Sequence, residues 1–118
     1  MRAPEEIVDD QIEAYVRRDG SAFAAFYEMD AVCGVLGSDE VIARGRAEIE
    51  TVWTRSLGRS AFEFRLANRI VNGRYVVDHE VITFPDASVI QAVAVYLVGQ
   101  ELIRQVWFLR TPASASEA

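Results

Sequence analysis

Two runs of alternating apolar and polar residues meet at Asn72-Gly73. Phe62, Phe64, Leu66, Asn68 and Ile70 alternate with Glu63, Arg65, Ala67 and Arg69, and the same period of two resumes from Arg74 to Phe84. A period of two is the mark of a strand with one covered face, and Asn-Gly between two such runs is the strongest short hairpin signal. An all-helical fold is therefore excluded. Pro85-Asp86 breaks the second strand, Ser88–Val98 forms a third, and Gly99-Gln100 turns the chain into a fourth, Glu101–Arg110. The first half has a different rhythm. Ile7, Val8, Ile12, Tyr15 and Val16 recur at three- and four-residue spacing, predicting a helix over 4–18 that ends at Asp19-Gly20. Ser21 opens a short second helix carrying Phe23, Phe26 and Tyr27. Ala31–Leu36 reads as a strand, Gly37-Ser38-Asp39 as a turn, and Gly45–Leu57 as a third helix with Ile49, Val52 and Trp53 on one side. Helices followed by strands predict an α+β domain. It covers residues 1–111, and the low-complexity stretch 112–118 is expected to be a flexible tail.

Composition narrows the chemistry. At 118 residues the chain is one domain's worth, and its net charge of −6 argues against nucleic acid and anionic membrane as partners. All twelve basic residues are Arg, so Schiff-base lysine and phosphate-loop lysine chemistry are excluded. One Cys, Cys33, excludes an internal disulfide and a cysteine-based zinc cluster, and one His, His79, excludes a multi-histidine metal site. No apolar run is long enough to span a membrane. The acidic N-terminal stretch does not read as a signal peptide, and the expected compartment is the cytoplasm.

A two-residue turn at Asn72-Gly73 pairs residues whose numbers sum to about 145. That register puts Phe62, Phe64, Leu66, Asn68 and Ile70 on one face with Tyr75, Val77, His79, Val81 and Thr83, and this apolar face is expected to be buried. His79 and Asn68 are its two polar members. Asp78 and Glu80 fall on the opposite face, beside Arg69 and Arg65, as solvated ion pairs. The same reasoning at Gly99-Gln100 groups Ala92, Ala94 and Tyr96 with Gln105, Trp107 and Leu109, the small alanines leaving room for a cavity or for the Trp107 indole. Both faces of this second hairpin are largely apolar. The helices cover one, and a second subunit is a candidate cover for the other.

Asp19-Gly-Ser-Ala-Phe-Ala-Ala-Phe-Tyr27 followed by Asp30-Ala-Val32, then Arg44-Gly-Arg-Ala-Glu-Ile49, Gly99-Gln-Glu-Leu-Ile103 and Val106-Trp-Phe108 occur in an order and spacing that resembles the SnoaL-like and ketosteroid-isomerase-like families of the nuclear transport factor 2-like superfamily. The resemblance spans roughly residues 4–110. It implies a cone-shaped, cystatin-like arrangement: a curved antiparallel sheet wrapped around three N-terminal helices, an apolar pocket, and a homodimer through the sheet's outer face. The steroid isomerases' helix-1 tyrosine, first-strand aspartate base and second aspartate align with Gln11, Val35 and Ala94. None of these carries the required group, so steroid isomerisation by that mechanism is not expected.

The fold therefore suggests a binder of a small apolar molecule. Any chemistry is expected to be cofactor-free and metal-free acid–base work: isomerisation, dehydration, cyclisation or hydrolysis. An inward imidazole in an apolar cone is a general acid or base, so His79 is the leading catalytic candidate, with Asn68 and Tyr15 positioning substrate or water. Trp53, Tyr96, Gln105 and Trp107 are the candidate ligand-binding residues. Whether the chain is an enzyme is left open by the residues themselves. The alternatives are a dimeric, non-catalytic domain whose pocket is filled by its own side chains, and a protein-interaction module.

Overall fold

The computed structural model describes residues 1–59 and 61–112, with Thr111 and Pro112 as backbone only. Three helices, α1 (Pro4–Val16), α2 (Gly20–Ala24) and α3 (Arg46–Leu57), pack on one face of a curved six-stranded sheet. The strands are β1 (Tyr27–Val35), β2 (Val41–Arg44), β3 (Glu63–Asn72), β4 (Tyr75–Thr83), β5 (Val89–Val98) and β6 (Ile103–Pro112), in the order β2-β1-β6-β5-β4-β3. The expected α+β class and the helix–sheet layering are what the structure shows. The sheet is not purely antiparallel, because β1 runs parallel to β6. Strand β2 was not expected. It is four residues long and pairs with β1 through Cys33↔Ala43, too short a run to give a periodic signal.

Local chemistry explains the element boundaries. Pro4 opens α1 in its first turn, where a missing N–H costs nothing, and Glu6 reaches back to the Ala3 amide. Asp19 caps α2 by accepting from the Ala22 amide at 3.0 Å. The expected tail begins one residue early, since Pro112 still pairs with Ile90 at the end of β6. Residues 113–118 lie outside the described residues. No helix among the described residues is long and apolar enough to cross a membrane.

The strand faces differ from expectation, and two β-bulges are the cause. In the first hairpin the loop is Gly73-Arg74 rather than Asn72-Gly73, with Gly73 at a positive φ of 60°. Arg74 is drawn into the loop by its guanidinium, which donates to the carbonyls of Arg2, Val98 and Gly99. That change alone preserves which residues share a face. The decisive event is in β3, where Leu66 pairs with Glu80 but Asn68 pairs with His79, leaving Ala67 as an extra residue. One extra residue reverses the alternation beyond it. Phe64 faces the helices, as expected, but Asn68 and Ile70 do not, and Ile70 is 64% exposed. On β4 the buried residues are Val76, Asp78, Glu80 and Ile82.

The β5–β6 hairpin has the same defect. Its loop runs from Gly99 to Leu102, closed by the Gly99 amide on the Leu102 carbonyl. Val98 pairs with Ile103 and Leu97 with Gln105, so Arg104 is the extra residue. Beyond it Val106 and Phe108 are buried beneath the helices, whereas Gln105, Trp107 and Leu109 take the outer face.

Candidate functional site

Ala92 and Ala94 lie side by side on the concave face of the sheet, in the middle of β5. Register places Glu80 on one side of Ala92 and Arg110 on the other, and Asp78 and Phe108 on either side of Ala94. Short side chains flanked by long ones leave a hollow, and the helices roof it. Gln11, Ile12 and Tyr15 come from α1, Phe23 from α2 and Trp53 from α3, while Phe64, Glu80, Tyr96, Phe108 and Arg110 complete the walls. The remaining inner space is about 20 Å³, enough for one water molecule. Trp53, Phe108 and Arg110 also border a larger, more open chamber of about 360 Å³, with Val35, Glu40, Ile42, Val52, Ser56 and Leu109.

A hydrogen-bonded chain runs through the inner site. The Tyr27 hydroxyl donates to Gln11 Oε1 at 3.0 Å, and Gln11 Nε2 donates to the Val8 carbonyl at 3.2 Å and the Tyr96 hydroxyl at 3.1 Å. Tyr96 in turn donates to the Glu80 carboxylate. Burial pushes Glu80 up to about 7, and the nearby Asp78 carboxylate adds to the effect. Arg110, Arg69 and the Tyr96 hydrogen bond pull the other way without offsetting it. Burial also raises the tyrosine hydroxyls: Tyr15 modestly, Tyr27 and Tyr96 well above their ordinary value. They remain neutral donors throughout the range in which Glu80 titrates.

The two inward carboxylates have different surroundings. Asp78 is fully buried and held bidentately by Arg69, at 2.7 Å to Nε and 2.9 Å to Nη2. Arg69 Nη1 also reaches Asp9 of α1 at 2.7 Å, fastening helix to sheet. The expected Arg69–Asp78 pair is present, but it lies under the helices and not on a solvated face. Among the described residues Glu80 has no such ion pair: Arg65 is exposed and sits opposite Val81. One carboxylate is thus neutralised as a structural pair, and its neighbour is left with a proton affinity suited to exchange near neutral pH.

The residues singled out from the sequence divide between the two faces. Tyr15, Trp53 and Tyr96 line the inner cavity. His79 and Asn68 do come together, with Asn68 Nδ2 at 3.1 Å from His79 Nδ1, but on the outer face. There His79 Nε2 also meets Gln91 Oε1 at 2.7 Å. The bulge at Ala67 carried them out of the cone, and the bulge at Arg104 did the same to Gln105 and Trp107. Cys33 is fully buried, and burial pushes its thiol up to about 12, as suits a small core residue. Gln11, Phe108 and Arg110 were missed as site residues, and Glu80 was assigned to the solvated face. The signal for Glu80 was present in the Asp78-x-Glu80 spacing, which puts both acids on one strand face with Val76 and Ile82.

The fold recurs among solved structures. An NTF-2-like protein of unknown function from Burkholderia xenovorans superposes with a TM-score of 0.79 at 17% identity, covering 92% of this chain and 83% of its own. This chain has the nuclear transport factor 2-like fold. A candidate ketosteroid isomerase from Kribbella flavida matches with a TM-score of 0.77 at 17% identity over 95% of this chain and 80% of its own. A candidate SnoaL-like polyketide cyclase from Shewanella denitrificans matches with a TM-score of 0.77 at 16% identity over 94% and 92%. No family model matches the chain, and comparison with curated protein sequences gives no match. At these identities the likeness concerns the nuclear transport factor 2-like fold alone, and chemistry rests on the cone's own residues.

Proposed function

We propose that this nuclear transport factor 2-like cone binds a small, mostly apolar molecule and moves a proton on it, with Glu80 as the acid–base group. The observation that carries this reading is the buried Glu80 carboxyl group, which lines a cavity among aromatic side chains without an ion pair among the described residues, so that burial raises its proton affinity. Tyr96 orients Glu80, and Gln11 and Tyr27 hold Tyr96 in place. Tyr15 presents its ring, and with it a neutral hydroxyl, to the same space. The larger chamber receives the body of the ligand, and a side-chain movement of Phe108 or Arg110, which wall both spaces, opens the way to Glu80. Isomerisation, cyclisation and dehydration all need such proton exchange, and the fold's likeness to candidate isomerases and cyclases supports that class.

A general proton-transfer probe tests the reading without knowledge of the natural substrate. With 5-nitrobenzisoxazole, a carboxylate takes the ring C–H proton, the N–O bond breaks, and a nitrile and phenolate form. The protein should accelerate this reaction with a rate that rises through an inflection near pH 7, where Glu80 ionises. Glu80→Gln should reduce the acceleration by about 100-fold or more. Equal rates for the two proteins would refute the assignment. The size of the inner cavity, about 20 Å³, favours a second reading in which Trp53, Phe108 and Tyr96 fill the cone and no catalysis occurs. Absence of turnover together with absence of small-molecule binding would select it.

The outer face supports a proposal about assembly. Val77, Val81, Val93, Val95, Leu97 and Trp107 are half-buried there, and Leu109 and Ile70 are more exposed. The polar groups in its middle, Asn68, His79 and Gln91, bond to one another. A face without Asp, Glu or Arg at its centre lets two copies of a −6 chain meet without like-charge repulsion, so a homodimer through this surface is the reading we favour. Sedimentation should give about twice the 13.2 kDa chain mass, and Val93→Glu should convert it to monomer. A wild-type monomer at high concentration would rule the dimer out.

A further inference from the structure

We infer that the larger chamber is built for a small organic acid, its carboxylate held by Arg110 and its aromatic or alkyl body against Trp53, Phe108, Val52 and Ile42. The inference names the ligand class for the cone and so rests on its reading as a small-molecule site. Arg110 lines both the chamber and the inner cavity. Among the described residues it is the one basic residue lining either of them. Its guanidinium carbon lies 5.4 Å from the centre of the Phe108 ring, so the charge is spread over an aromatic wall. Among the described residues it makes no hydrogen bond and no ion pair, in contrast to Arg69, Arg74 and Arg104, whose guanidinium groups are engaged by carboxylates or carbonyls.

Glu80 stands across Ala92 from Arg110, and the two sense each other's charge without touching. When Glu80 carries its proton, the guanidinium has no counter-charge on the cavity side. A planar fork of N–H donors left in this state beside apolar walls is matched by a carboxylate, which it binds through two parallel hydrogen bonds. Glu40 also borders the chamber and, like Arg110, is exposed, but among the described residues the two make no ion pair. The consequence for the site is directional. A bound carboxylate on Arg110 removes the positive charge that favours ionised Glu80, so the ligand arrives with Glu80 in its acid form, ready to donate a proton.

Two probes of equal shape test this: 2-naphthoate and 2-naphthamide, titrated calorimetrically into the full-length protein near pH 7. The naphthoate should bind about tenfold more tightly or better, the advantage of a charge-assisted hydrogen bond over a neutral one. Arg110→Gln should bring the two affinities together, and Arg110→Lys should restore part of the difference. Naphthoate binding should also take up protons, read as a dependence of the heat on buffer ionisation enthalpy, and Glu80→Gln should abolish that uptake. If the wild-type protein binds both probes equally, or keeps its preference in Arg110→Gln, the organic-acid inference fails while the apolar-ligand reading stands. If it binds neither, both fail.

Discussion

Raising the pH from about 4.5 to about 8 should cost the wild-type protein about 3 kcal/mol of stability that Glu80→Gln does not lose. Glu80 ionises at about 7 in the folded chain against 4.5 when unperturbed, and each pH unit of that gap is worth about 1.4 kcal/mol. Below 4.5 both folded and unfolded chains carry the proton, and Glu80 contributes no pH dependence. Between 4.5 and 7 the folded state holds more protons than the unfolded state, so stability falls as pH rises. Above 7 both states are ionised and the loss is complete. Burial of the carboxyl group among Tyr15, Phe64, Tyr96 and Phe108 is the cause, since a charge there gives up its hydration with no ion pair in return. Urea unfolding of both proteins at a series of pH values isolates the effect, because every other titrating group is common to the pair. Curves that run parallel across this range would show that Glu80 titrates like a solvated carboxylate, and the acid–base role would fall with it.

Arg69→Ala should be the most damaging single substitution outside the apolar core, at about 3–5 kcal/mol. It leaves the fully buried Asp78 without the two hydrogen bonds that now neutralise it, a short distance from Glu80. It also severs the link to Asp9, but that partner is 58% exposed and accounts for little of the loss. The control is the double substitution Arg69→Met with Asp78→Leu, which removes both charges and keeps the volume. It should recover most of the stability in the same urea experiment. If the single substitution costs less than about 1 kcal/mol, water reaches Asp78 and the pair is not enclosed by α1.

Both predictions concern residues that strand alternation alone assigns to the solvent side. The hairpins, the three helices and the α+β order could be read from periodicity because each is a local consequence of side-chain spacing. The nearness of Asn68 and His79 was also within reach: the expected register sets them as diagonal neighbours on one face, and the observed register pairs them directly. Their direction was not. It depends on Ala67 being an unpaired residue in β3, and an alanine in a bulge has the same local signature as an alanine in regular strand. Arg104 acts in the same way on Gln105 and Trp107. Tyr15, Trp53 and Tyr96 were placed on the inner side because their assignments cross no bulge.

By itself the order of residues determined every element of this chain but β2, their succession and the exclusion of lysine, disulfide and multi-histidine chemistry. Those properties depend on composition and on neighbours a few positions apart. The packed structure decided which face of each strand meets the helices, and so it decided that a carboxylate and not an imidazole sits in the cone. The physical reason is that a strand's side chains alternate strictly, so one inserted residue redirects every side chain beyond it. Where that residue is inserted is settled by the fit of the whole sheet against its helices.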